Sequence, residues 1–153
     1  MAENRFRLLK ELVQREEDEA AERMGACSRR QREAQEKLAL LERFRDEYEE
    51  RLRQALRDDA SPELILNHRR FLARLDDALI LQREELARCA QRLEEAHRAW
   101  QAVRTRRRAF EVLEARADAE ALAQAQRLAQ KMLDEHASQK HLRRAREEGA
   151  DER

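Results

Sequence analysis

The chain's only proline sets its layout. Pro62 lies in Arg57-Asp58-Asp59-Ala60-Ser61-Pro62-Glu63, where a sequence otherwise poor in helix breakers is told to stop and restart. Proline has a fixed φ and no N–H, so it is tolerated in the first turn of a helix and pushes the residue before it out of the α region. Ser61 therefore reads as an N-cap and Pro62 as the first residue of a helix. Asp58 and Asp59 favour a turn at the end of the preceding helix, where the dipole disfavours negative charge. The stretch predicts the tip of a hairpin.

Upstream of the tip, Phe6, Val13, Ala20, Cys27, Ala34, Leu41, Tyr48 and Ala55 recur every seven residues without a miss, which calls for a coiled-coil partner. A poorer companion row runs through Glu17, Met24, Gln31, Leu38, Arg45 and Leu52. Downstream the same period returns in Ile65, Leu72, Leu79, Leu86, Leu93 and Trp100, seconded by Leu75, Gln82, Cys89, Ala96, Val103 and Phe110. Folding about residue 60 makes partner numbers add to about 120 and pairs Tyr48 with Leu72, Leu41 with Leu79 and Ala34 with Leu86. The same register sets Cys27 beside Leu93 and Ala20 beside Trp100, small facing large, and puts Cys27 and Cys89 about one turn out of level for a disulfide. Gly25, the single interior glycine of the first arm, hints at close packing or a bend.

The expected fold is all-α, two long helices in one antiparallel coiled-coil hairpin over 1–153. Helix 1 covers about 4–57, the tip 58–61, a longer helix 2 about 62–147 and a frayed tail 148–153. With 43% charged and 4% aromatic residues, such a chain cannot fill a wide globular core. The arms are unequal, so roughly 30 residues of the second, up to about Arg146, have no partner within the chain. They still carry a weak stripe of Phe110, Leu113, Ala117, Ala121, Leu128 and Met132. A helix of that kind frays or is completed by another protein.

Thirty-three basic and 33 acidic residues cancel, which removes any net field toward nucleic acid or an anionic membrane. No apolar run approaches the roughly 20 residues of a bilayer span, so no direct membrane insertion is expected. The opening Met1-Ala2-Glu3-Asn4 leads straight into charged helix, and with only two cysteines this points to a reducing cytosol. Two glycines allow no phosphate-cradling loop, and two strands of coil offer no water-excluding pocket. Neither a catalytic residue nor a cofactor is expected. His68, His97, His136 and His141 lack ligand spacing, so neither is a metal. The run Arg104-Thr105-Arg106-Arg107-Arg108 is followed by Glu111 and Glu114 and has no interleaved aromatic, which favours a solvated face or an acidic protein partner over nucleic acid. Phe44, Tyr48 and Phe71 cluster near the tip, where they either seal the hairpin end or anchor a partner.

Several strings, in this order about the tip, resemble the FliJ family of the flagellar type III export apparatus, with YscO-type injectisome stalk proteins as more distant relatives. They are Arg15-Glu16-Glu17-Asp18-Glu19-Ala20-Ala21, Phe44-Arg45-Asp46-Glu47-Tyr48, Phe71-Leu72-Ala73-Arg74-Leu75-Asp76, Trp100, Phe110-Glu111-Val112-Leu113 and Asp134-Glu135. The resemblance covers nearly the whole chain. It implies a non-enzymatic stalk in the pore of the hexameric export ATPase, linking it to the membrane export gate and assisting export chaperones. It also implies a cytoplasmic protein, peripheral at the inner membrane. The gate-docking tip would be Lys37, Leu41, Phe44 and Tyr48 on the first arm with Phe71, Leu75, Ala78 and Gln82 on the second. Lys37 departs from an expected uncharged polar residue and Gln82 from a histidine. The ATPase-facing open end would be Arg104, Arg106, Arg107, Arg108, Phe110 and Leu113. The rival reading is a generic scaffold that homodimerises through the overhang without an ATPase.

Overall fold

The computed structural model describes residues 2–152, with their side chains from residue 5 onward. It holds two helices, α1 (Ala2–Arg57, 56 residues) and α2 (Pro62–Asp151, 90 residues). Both are built from residues that lose little rotamer freedom in a helix. Pairs such as Arg45–Glu49 at 3.0 Å and Glu94–Arg98 at 2.6 Å lace their surfaces at i,i+4.

The tip forms as its residues require. The Ala60 N–H donates to the Ala55 carbonyl at 3.0 Å, and Asp59 between them takes the left-handed region with φ 49°. This is a six-to-one Schellman closure of α1, with aspartate in the place usually given to glycine or asparagine. Ser61 Oγ accepts from the Leu64 N–H at 3.3 Å and its carbonyl from the Ile65 N–H at 3.2 Å, so it caps α2 directly ahead of Pro62.

The chain divides into two compact units, Glu11–Arg106 on one hand and the described parts of Met1–Lys10 with Arg107–Arg153 on the other. In the Glu11–Arg106 unit the helices run antiparallel. Numbers of paired side chains add to 121 for Arg45–Asp76 and for Met24–His97, to 119 for Tyr48–Phe71 and to 122 for Glu16–Arg106. The seam buries Val13, Ala20 and Ala34 of α1 against Leu75, Leu79, Gln82, Cys89 and Ala96 of α2.

The row of α2 that the heptads rank second is thus the more deeply buried, whereas of the row led by Ile65 only Leu79 is buried. Small and slender side chains fit where two helices approach most closely. Leu72, Leu86, Leu93 and Trp100 lie at the flanks, half-buried, because two strands cannot close over them. Close packing does not require Gly25: a methyl group there would meet only Arg29 Nη1, at an ordinary 3.7 Å.

In the other unit, Lys10 pairs with Glu114 at 3.3 Å, and Phe6, Phe110 and Ala117 are half-buried. From Gln124 to Glu152 every residue is exposed. Helix α2 continues to Asp151, past the end expected at about 147 and into the stretch expected to fray over 148–153. A lone glycine at 149 costs about 1 kcal/mol of helix propensity but removes no hydrogen bond, and no proline follows to stop the turn.

Candidate functional site: the aromatic tip and the open segment

Near the tip, the Tyr48 and Phe71 rings lie 4.2 Å apart at 35°, with His68 6.3 Å from Tyr48 and the Arg51 guanidinium 4.9 Å above it. Tyr48 and Phe71 therefore seal the seam across the two helices. Phe44 (41% exposed) and the outer part of Phe71 (38%) still face solvent, so sealing does not use all three rings. Lys37 is exposed, while Leu41 and Ala78 are half-buried.

Two residues expected on this surface lie inside the seam. Leu75 is buried, and so is Gln82, whose Nε2 donates to the Ala34 carbonyl at 3.0 Å. Both side chains are thus spent on the seam between the two helices. A glutamine in an apolar heptad row was legible as a polar seam residue; its commitment to a backbone carbonyl was not.

A groove of about 610 Å³, missed in the sequence, is lined by Glu42, Arg45, Asp46, Asp76, Leu79, Ile80 and Arg83. Arg45 bridges the helices there, donating to Asp76 at 2.6 Å and to Glu49 at 3.0 Å. The Asp76 carboxylate, and after it Glu49, raises Arg45 above the ordinary guanidinium value. The signal was present in the sequence as a charged residue at a seam position.

Farther along α2, Arg88 and then Cys89 hold the Glu85 carboxyl below the usual range. Burial pushes the Cys89 thiol up, and Glu85 adds to it. Cys27 is half-buried, and both thiols are free. His97 stacks on Trp100 at 5.9 Å with its Nδ1 3.4 Å from Met24 Sδ, and Arg104 lies 5.0 Å above the Trp100 ring.

The arginine run is largely engaged within the chain. In the Glu11–Arg106 unit, Arg104 covers Trp100 and Arg106 pairs with Glu16. In the other unit, Arg107 holds Glu111 at 2.8 Å, Arg108 is exposed, Phe110 is half-buried and Leu113 is 49% exposed. Among the described residues no three His, Cys, Asp or Glu side chains gather as a metal site, and no helix is long and apolar enough to cross a membrane.

Residues 1–146 match the family described as "Flagellar FliJ protein". Among curated proteins, the flagellar FliJ protein of Salmonella typhi is 29% identical over 136 residues, covering 89% of this chain and 92% of the relative. Its counterpart from Escherichia coli strain K12 is 28% identical over the same shares. With an antiparallel pair of helices closed by a capped turn, and a family match over nearly its full length, the chain belongs to the flagellar FliJ protein family.

Proposed function

We propose that this protein is a non-enzymatic component of the flagellar protein export apparatus, the central stalk of the export ATPase hexamer. In this reading it couples the ATPase to the cytoplasmic part of the membrane export gate and assists export chaperones. It works in the cytoplasm and is held at the inner membrane through the apparatus. The supporting observation is that α2 runs on from Gln124 to Asp151 with every residue exposed, Leu128, Met132, Leu133 and Leu142 among them. A helix of that kind gains stability only by packing against something else. The ring of the ATPase would receive the unit that holds Arg107, Arg108, Phe110 and Leu113. Phe44, Phe71 and Lys37 would be left at the tip for the gate.

Mixing the protein with the export ATPase and following hydrolysis and ring assembly tests this. A rise in rate with assembled rings is expected, and truncation at residue 123 abolishes it. No change in either quantity on adding the full chain overturns the stalk reading and leaves the generic scaffold.

A further inference from the structure

Across the seam of the Glu11–Arg106 unit, two soft donors meet that neither the tip nor the open end uses. His97 Nδ1 lies 3.4 Å from Met24 Sδ, and 73 residues separate them, so spacing along the chain does not reveal the pair. Met24 is half-buried, and the His97 ring stacks at 29° on Trp100, which closes one of its faces. His97 is itself exposed, which gives an ion its way in. One turn farther along α1, in the neighbouring seam row, Cys27 is half-buried and its thiol is free. A thioether, a thiol and an imidazole thus stand at adjacent levels of the shaft.

We infer that Met24 and His97 form a site for a soft monovalent cation, Cu(I), with the Cys27 thiolate as its third donor. Thioether and thiolate sulfur select Cu(I), and imidazole suits copper too, whereas carboxylate and carbonyl oxygens select Mg2+ or Ca2+. Among the described residues no carboxylate pairs with His97, and no three His, Cys, Asp or Glu side chains gather as a hard cation or a structural Zn2+ requires. The bite fits. With bonds of about 2.0 Å to imidazole nitrogen and about 2.3 Å to sulfur, atoms 3.4 Å apart subtend roughly 100° at a metal ion between them. That angle is bent rather than linear and leaves a further position open, which the thiolate fills. Nδ1 gives its lone pair to the metal, and the ring proton then sits on Nε2. Arg104, 5.0 Å above the Trp100 ring, adds a positive charge nearby that disfavours a divalent ion more than a monovalent one. What the metal displaces is a weak hydrogen bond from Nδ1–H to the Met24 sulfur.

The test uses the full chain alone, which keeps its outcome separate from that of the ATPase experiment. Cu(I) is offered anaerobically as its bicinchoninate complex. The protein should withdraw one equivalent per chain from the dye and change the fluorescence of Trp100, its single tryptophan, as it does so. Met24→Leu and His97→Gln should each weaken binding at least about ten-fold, the loss that even an outer partner of a metal site can cause. Helicity by circular dichroism should stay unchanged in both, since leucine conserves the volume of methionine and His97 is exposed. Cys27→Ser should weaken binding by more, because the thiolate is the one charged donor. Cys89→Ala should leave it as it is, the Cys89 thiol being buried and held protonated. A natural chain that leaves Cu(I) with the dye overturns the inference, as does a loss of binding confined to the cysteine variants.

Discussion

Residues 72–96 and residues 124–148 of α2 are stretches of one helix with similar chemistry, and they differ in what covers them. The first has α1 alongside and buries Leu75, Leu79, Gln82, Cys89 and Ala96; the second carries Leu128, Met132, Leu133 and Leu142 and buries nothing. Helix propensity is comparable in the two, so the difference lies in tertiary packing. Each apolar side chain removed from water contributes roughly 1.5–3 kcal/mol, and only the first stretch collects it. The comparison assigns stability to the seam and leaves the second stretch exposed along its whole length.

The largest expected effect breaks that contrast with one substitution made twice. Leu79 is 3% exposed and Leu128 62%. Leu79→Ala should cost about 3 kcal/mol, the loss of a buried leucine plus the gap it leaves. Leu128→Ala should fall within about 0.5 kcal/mol of the natural chain when measured on dilute protein. Urea denaturation followed by circular dichroism reads both. Equal losses would mean that the second stretch is packed after all.

The hairpin itself was legible in the sequence because its signals are local. Pro62, Ser61 and the two aspartates fix the tip through backbone chemistry, and eight uninterrupted heptads demand a partner. Which row of α2 lies deepest was not legible. Heptad position ranks residues by period, whereas depth depends on how closely the axes approach, and that favours Cys89 and Ala96 over Leu93 and Trp100. Of the expected tip surface, Phe44, Phe71 and Lys37 are exposed. Leu75 and Gln82 are not, since a residue on the seam and one beside it share nearly the same spacing. The Arg45–Asp76 bridge went unread although the expected register sets the two residues within one position of level, because a charged residue in a seam row does not by itself name its partner 31 residues away.

A middling effect separates two glutamines. Gln82 spends its amide on the buried Ala34 carbonyl, whereas Gln130 donates to Asp134 at 3.2 Å on the surface. Gln82→Ala should cost about 1 kcal/mol in lost hydrogen bond and packing. Gln130→Ala should change stability by only a few tenths of a kcal/mol, as exposed i,i+4 pairs do. Gln82→Leu should recover the loss, because the Ala34 carbonyl keeps its bond within α1 and no buried group is orphaned. Failure of leucine to rescue would show that the polar contact itself holds the register.

The smallest effect is one of pH, and it sharpens the contrast within the seam. Glu85 is held low by Arg88 and then by Cys89. A carboxylate with a depressed folded value stabilises the fold above its unfolded value of about 4.3, and that contribution is lost as pH falls through the lower folded value. Cys89 carries the opposite sign on the alkaline side. Its thiol is held protonated by burial, so stability is lost as pH rises past the unfolded thiol value of about 8.5. The urea midpoint measured from acid to alkaline pH should therefore decline at both ends. Glu85→Gln should flatten the acid limb and Cys89→Ala the alkaline limb, each leaving the plateau between them nearly level. Acid limbs that superimpose for Glu85→Gln and the natural chain would assign the decline to other carboxylates and leave the Glu85–Arg88 contact without a share in holding the seam.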